Sequence, residues 1–230
     1  MPTPYLGLPY IVQGQAQKEI AHNEALNLLD AVVQLAVKGR TAVNPPVAAA
    51  EGERWIVPPG ATGAWAGQTN KVALWKDGFW RFFTPQDGWL AFVQDEGTVV
   101  FAAGGWQSFI VLTVSGAGIG MDIAEEEVVC SGASVTTTIS FPARSIALAV
   151  SVRTTLAITG ASSFNCGISG DLSKFGGSLG IALGSTNIGV IGPTAVYSNT
   201  PVVLTAVGGN FTGGKVRVAA QFITFAAPTN

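Results

Sequence analysis

Apolar and polar residues follow three different rhythms along this chain, one after another. From Gln15 to Val37 the apolar positions Ala21, Ala25, Leu28, Val32 and Leu35 fall four, three, four and three apart. A second row, Leu26, Leu29, Val33 and Ala36, runs beside the first. The spacing predicts a helix with a wide apolar face, closed by Gly39 as a C-cap. Such a face fits a sheet of the same chain or a neighbouring subunit. About three heptads are too few for a self-sufficient coiled coil. Ahead of the helix, the prolines and glycines of residues 1–14 predict an extended arm.

The second rhythm begins after a linker over residues 41–50. Between Glu51 and Phe109 lie all six tryptophans, and two segments repeat one cassette. These are Ala73-Leu74-Trp75-Lys76-Asp77-Gly78-Phe79-Trp80 and Val99-Val100-Phe101-Ala102-Ala103-Gly104-Gly105-Trp106. Each reads as a short strand, a glycine turn and a tryptophan opening the return strand. Glycine supplies the positive φ that a tight hairpin turn needs. A further strand is predicted around Arg54-Trp55-Ile56-Val57.

A glycine-rich hinge, Ser115 to Gly120, introduces the third rhythm, a series of short alternating segments without tryptophan. Strands are predicted over Val135–Phe141, Ile146–Val152, Phe164–Ile168, Asn187–Ile191, Pro201–Thr205 and Lys215–Phe225. In the last, Val216, Val218, Ala220 and Phe222 share one face. Arg217, Ala219, Gln221 and Ile223 share the other, which is polar only in part and suits contact with a partner subunit. The expected fold class is mainly β, with an N-terminal helix, a small tryptophan-rich β-module and a C-terminal β-sandwich of jelly-roll type. Three regions follow: 1–42 for attachment and oligomerisation, 43–114 for the tryptophan module, and 115–230 for a receptor-binding sandwich.

Composition narrows the function. Charged residues make up 11% of the 230 residues and apolar ones 48%, against about a quarter charged in ordinary soluble domains. Low charge suits a subunit that hides surface in an assembly. The net charge of −2 and the absence of a basic tract argue against nucleic acid as a partner. No apolar run reaches the length of a membrane span, and the start shows no signal-peptide pattern. Cys130 and Cys166 are expected to be reduced and buried.

Candidate chemistry is sparse, and the expectation is a protein that is not an enzyme, without metal or cofactor. His22, the single histidine, lies on the helix, far from any partner for nucleophilic catalysis. Gly176-Gly177-Ser178-Leu179-Gly180 matches G-x-S-x-G, but a nucleophile elbow needs a following helix and a later histidine. Gly213-Gly214-Lys215-Val216 lacks the remainder of a phosphate loop. Asp122, Glu125, Glu126 and Glu127 form an acidic run. It reads as a solvated loop, the alternative being a carboxylate pair for polysaccharide cleavage.

The aromatics remain. The module holds more tryptophan and phenylalanine than a small core requires, and surplus aromatics stack on sugars or fill protein interfaces. Trp65, inside Gly63-Ala64-Trp65-Ala66-Gly67, and Trp89, after Asp87-Gly88, are the expected exposed contacts for glycan or partner. The helix positions Ala21, Ala25, Leu28, Val32 and Leu35 are the expected oligomerisation seam.

Several of these segments, taken in order, resemble a known family. They are Ile11-Val12-Gln13-Gly14-Gln15-Ala16-Gln17-Lys18-Glu19-Ile20, His22-Asn23-Glu24-Ala25-Leu26, Glu51-Gly52-Glu53-Arg54-Trp55-Ile56-Val57, Gly63 to Gly67 and Trp75 to Trp80. The family is phage-derived, is catalogued mainly as a domain of unknown function, and occurs in prophages and gene transfer agents of alphaproteobacteria. The resemblance spans roughly residues 5–110. The second half resembles a C-terminal region of the same proteins through Phe164-Asn165-Cys166-Gly167, Lys174 to Ser178 and Gly208 to Gly214. It implies a particle component, a head spike or tail fibre that binds capsular polysaccharide on the recipient cell. It also implies a homo-oligomer, a trimer or, at a capsid vertex, a pentamer, in contact with other particle proteins. Assembly in the cytoplasm and release by lysis follow from the same resemblance. The alternatives are a structural adaptor joining another fibre to the particle, and a polysaccharide depolymerase.

Overall fold

The computed structural model describes residue 11, residues 13–108 and residues 111–229. The arm expected over residues 1–14 lies outside them apart from Ile11, Gln13 and Gly14. The described chain is mainly β with one α-helix, and it divides into two compact units, one up to Ser108 and one from Val111 onward.

The first unit opens with α1 (Lys18–Val32). The helix is shorter than the periodicity predicts. Val33 is already extended, and Gln34 takes a left-handed φ of 50°. The chain then enters β1 (Ala36–Val37), which runs parallel to β5 (Leu90–Val93). Phe92 N–H donates to Leu35 O and Gln94 N–H to Val37 O. Pairing with β5 thus overrides the helical pattern, as tertiary contacts commonly override propensity. Leu35 is therefore not a helix position, and the helix stops well before Gly39. Leu35 is 4% exposed and packs with Val37, Ile56, Val72, Val93 and Val100.

Two small sheets make up the remainder of this unit. One is the meander of β2 (Arg54–Ile56), β3 (Val72–Lys76) and β4 (Phe79–Phe83). The other has the order β1, β5, β6 (Thr98–Ala102), β7 (Trp106–Gln107). Both predicted hairpins form. Asp77 and Gly78, at φ 54° and 84°, turn β3 into β4. These paired positive φ values define the two-residue turn whose twist matches its strands.

The second unit contains β8 (Val111–Leu112), β9 (Gly118–Val129), β10 (Ser134–Phe141), β11 (Ser145–Thr159), β12 (Ser163–Ile168), β13 (Asp171–Leu179), β14 (Thr186–Val196), β15 (Thr200–Val207) and β16 (Gly213–Ala226). They form two open antiparallel sheets, ordered β10-β15-β12-β13 and β14-β11-β16-β9-β8. Alternation decides which side chains go inward. Val216, Val218, Ala220 and Phe222 of β16 are buried, as their spacing predicts. They share one core with Val150 and Val152 of β11 and Phe164, Cys166, Val202 and Leu204 of the facing sheet. Phe141 links the layers, its ring 5.6 Å from Phe175 and 6.0 Å from Phe222.

One strand lies where a loop was expected, and another takes up most of the G-x-S-x-G match. The acidic run belongs to β9, and the glycine-rich Lys174–Leu179 segment belongs to β13. Glu126 has a specific task there. A bulge between Thr136 and Ser140 breaks the pairing of β10 with β15. The Glu126 carboxylate accepts from Thr138 N–H at 2.6 Å, Thr138 O–H at 2.9 Å and Ile139 N–H at 3.2 Å. It satisfies backbone donors that the bulge leaves without a ladder partner.

At one margin, Gly189 of β14 runs against the backbone of β13. A side chain there would overlap the Phe175 carbonyl, which also accepts from Asn187 Nδ2 at 2.9 Å. Gly189→Ala is therefore expected to destabilise the protein by roughly 1–3 kcal/mol, the usual cost of overpacking. A lowered midpoint in urea unfolding, with far-ultraviolet circular dichroism unchanged in buffer, is the measurement that checks this.

Candidate functional site

Trp65 and Trp89, the tryptophans expected at the surface, are both buried. Trp65 has no exposed area and ends a short 3-10 turn, Gly63–Trp65. Its ring stands 5.1 Å from Trp80 and 6.0 Å from Trp55, and Trp80 in turn stands 5.1 Å from Trp75. Small neighbours in sequence marked a loop, but the loop folds inward because this indole is the centre of a core with Val57 and Ala73. Trp89 is 9% exposed, its backbone held to Ala102 and Gln86. The surplus of aromatics is thus largely consumed by a second small core.

Of the expected helix seam, Ala21 is buried, and Ala25, Leu28 and Val32 are half-buried. The more exposed apolar positions of α1 and its end are Ile20, Leu26 and Val33. His22 is exposed on the same helix.

A cleft of about 450 Å³ opens on the first unit. Its walls are Arg40, Thr41, Ile56, Val57, Pro58, Pro59, Asn70, Glu96, Gly105, Trp106 and Gln107. Trp106 is the tryptophan that opens β7, and it is half-buried. One side packs on the core of Leu35 and Val100, while the indole N–H donates to Asn70 O at 2.9 Å. The ring is fixed in place before any ligand arrives. Opposite charges line the same cleft. Arg40 Nε donates to Glu96 Oε1 at 2.7 Å and Arg40 Nη2 to Oε2 at 2.8 Å. Nη2 also donates to Ser108 Oγ at 2.9 Å. A bidentate pair of this kind holds a fixed plane of donors and acceptors.

The volume falls within the range of small-molecule sites. A half-buried tryptophan, two prolines, two amide side chains and a fixed ion pair are suited to a neutral, hydroxyl-rich ligand. Sequence reasoning named Trp106 only as part of a hairpin. Arg40 and Glu96 are 56 positions apart, so no local pattern joins them.

Other chemistry-bearing residues have structural partners. Lys215 and Thr155 hold the Glu127 carboxyl below its ordinary range, the Lys215 hydrogen bond contributing most. Glu125 lies 3.6 Å from Arg217. The G-x-S-x-G segment leads into the turn before β14 rather than into a helix, and Ser178 N–H donates to Asn165 Oδ1. Among the described residues, no group of His, Cys, Asp and Glu is placed to hold a metal ion. No helix among them is long and apolar enough to cross a membrane. Cys130 and Cys166 are free and buried in the second core, and burial pushes their thiols up to about 11 and about 12.

Together these features define a mainly β protein with one N-terminal helix, a tryptophan cluster and an open cleft. Residues 22–107 match the model of a family described as "Protein of unknown function (DUF2793)", a span that ends within the first unit and includes most of the cleft. No curated protein matches the chain. Among solved structures, a chain from the cyanophage Pam1 capsid asymmetric unit is similar at 22% identity and a TM-score of 0.37. The match covers 51% of this chain and 94% of that one.

Two outcomes are expected. Trp65→Ala should cost roughly 3–5 kcal/mol, the range for a large aromatic removed from a core, read by denaturant titration. Both cysteines should resist a thiol reagent at neutral pH in the folded protein and react fully once unfolded, because the thiolate is the reactive form.

Proposed function

We propose that this protein is a structural subunit of a phage-like particle, a head spike or fibre component that attaches the particle to polysaccharide on the cell surface. In this reading the second unit is a jelly-roll sandwich. Its strand order supports that: with β9 counted as the first strand, the sheets run 1-8-3-6 and 2-7-4-5 around one core. The observation that carries the attachment role is the cleft of the first unit, where Trp106 lies beside amides and the Arg40–Glu96 pair. Aromatic faces take up the apolar side of a sugar ring, while neighbouring polar groups bind its hydroxyls. Repetition of the subunit in a homo-oligomer multiplies weak contacts. The particle assignment rests on the resemblance of the first half to phage and gene-transfer-agent proteins.

A second reading, a structural adaptor, is favoured by the exposed apolar residues on the outer sheet of the second unit. The depolymerase reading has less support, because Glu126 is engaged with the β10 bulge and Glu125 and Glu127 with basic side chains.

Purified protein should bind capsulated cells and not acapsular ones, and Trp106→Ala should weaken binding at least about tenfold with the fold intact. Equal binding to both cell types would sink the attachment role. Electron microscopy of particles from a deletion strain should show the loss of a spike or fibre. Particles unchanged in composition and appearance would sink the particle assignment. Release of reducing ends by the wild type, abolished in Glu126→Gln, would establish the depolymerase instead.

A further inference from the structure

The outer face of the sheet β14-β11-β16-β9 carries apolar side chains where a solvent-facing sheet is ordinarily polar. Met121 and Ile123 of β9 are 58% and 68% exposed, and Ile188 and Val190 of β14 are 73% and 74% exposed. The register places Met121 and Ile146 on either side of Ile223, and Ile123 and Ala149 on either side of Gln221. One end of this face is charged. There Arg153 of β11 and Glu127 of β9 flank Arg217 of β16.

Two groups on the face are incompletely satisfied. Gln221 Nε2 donates to Ser151 Oγ at 3.0 Å, but its Oε1 is buried with no hydrogen-bond partner among the described residues. Arg153 stands directly across from Arg217, a like-charge pairing that destabilises a sheet. Glu125 and Glu127 are engaged with Arg217 and Lys215, and among the described residues Arg153 has no ion pair.

We propose that this face pairs with the same face of a second copy of the chain, about a twofold axis running along β16. The proposal rests on the reading of the protein as an assembly subunit, and it specifies a pair where the sequence led to a trimer or pentamer. The geometry is self-complementary except at Arg217, which faces its own copy across the axis with a Glu127 carboxylate on either side. Because β11 and β9 flank β16, a half-turn about β16 lays each β11 on the other copy's β9. Arg153 then meets Glu127 of the second copy, and the reverse contact forms by symmetry. Ile146 meets Met121, and Ile223 meets Ile223. The two Gln221 side chains meet at the axis. This is the isologous arrangement of most homodimers. Three strands about 4.8 Å apart, over ten residues at about 3.4 Å each, give a footprint of roughly 500 Å² per copy. Two copies bury roughly 1,000 Å², the lower limit for a specific contact. Ile188 and Val190 flank the contact on β14.

The test uses the full chain. Sedimentation equilibrium should give twice the 23.6 kDa chain mass. Ile223→Glu should raise the dissociation constant at least about tenfold, with an unchanged circular dichroism spectrum. Because Cys130 and Cys166 are buried, Gln221→Cys should be crosslinked into a pair by a short bismaleimide that spans the roughly 10 Å between facing sheets, while Ile188→Cys should not. A monomeric wild type overturns the proposal, as does a trimer, an Ile223→Glu variant that stays paired, or crosslinking at Ile188 and not at Gln221. Incorporation into particles is scored separately. A monomeric chain that still enters particles removes this interface and leaves the proposed function standing, whereas a pair that never enters particles does the reverse.

Discussion

The second unit depends on the insertion of β16 between β11 and β9. Its twelve-residue register with β9 runs without a shift from Lys215 to Ala226, and its inward side chains contribute Val216, Val218, Ala220 and Phe222 to the core. Remove that strand and β9 loses its ladder partner along most of its length, β11 loses one of two, and the layer facing β10, β12, β13 and β15 loses its middle. Few charged residues are available to stabilise the unit by other means, so apolar burial through this strand carries most of the load.

In the first unit the dominant interaction is different. A small module has little apolar area per residue to bury. This one uses indoles, setting Trp55, Trp65, Trp75 and Trp80 in successive edge-on or tilted contacts, geometries that the charge distribution of aromatic rings favours. Packing of this kind leaves Trp106 as the tryptophan that lines the cleft, its N–H already bound to a backbone carbonyl. The same residue type thus serves as filler at one position and as part of a fixed recognition surface at another.

The legible parts of the fold were those with local causes. Asp77-Gly78 announces its turn, and the alternation of Lys215–Phe225 announces which side of β16 faces inward. What escaped was decided at a distance. Leu35 keeps helical phase with Val32, yet pairing with β5 draws it out of the helix. The acidic run looks like a loop because its charges are read singly, but each has a partner on another strand: Thr138 for Glu126, Lys215 for Glu127 and Arg217 for Glu125. Trp65 sits among glycine and alanine, a composition that says turn and gives no hint that the turn folds inward. The candidate site was hidden for the same reason, since Arg40 and Glu96 meet only after β1 has paired with β5.

The place of β16 in the chain has a consequence for timing. Every other strand of the second unit precedes it in synthesis, so the five-stranded sheet stays split until residues 213–226 emerge from the ribosome. The first unit ends at Ser108, so all of it has been synthesised before the second begins. The strand that closes the second core also displays Gln221 and Ile223. Pairing through the proposed face therefore has to await translation of residues 213–226.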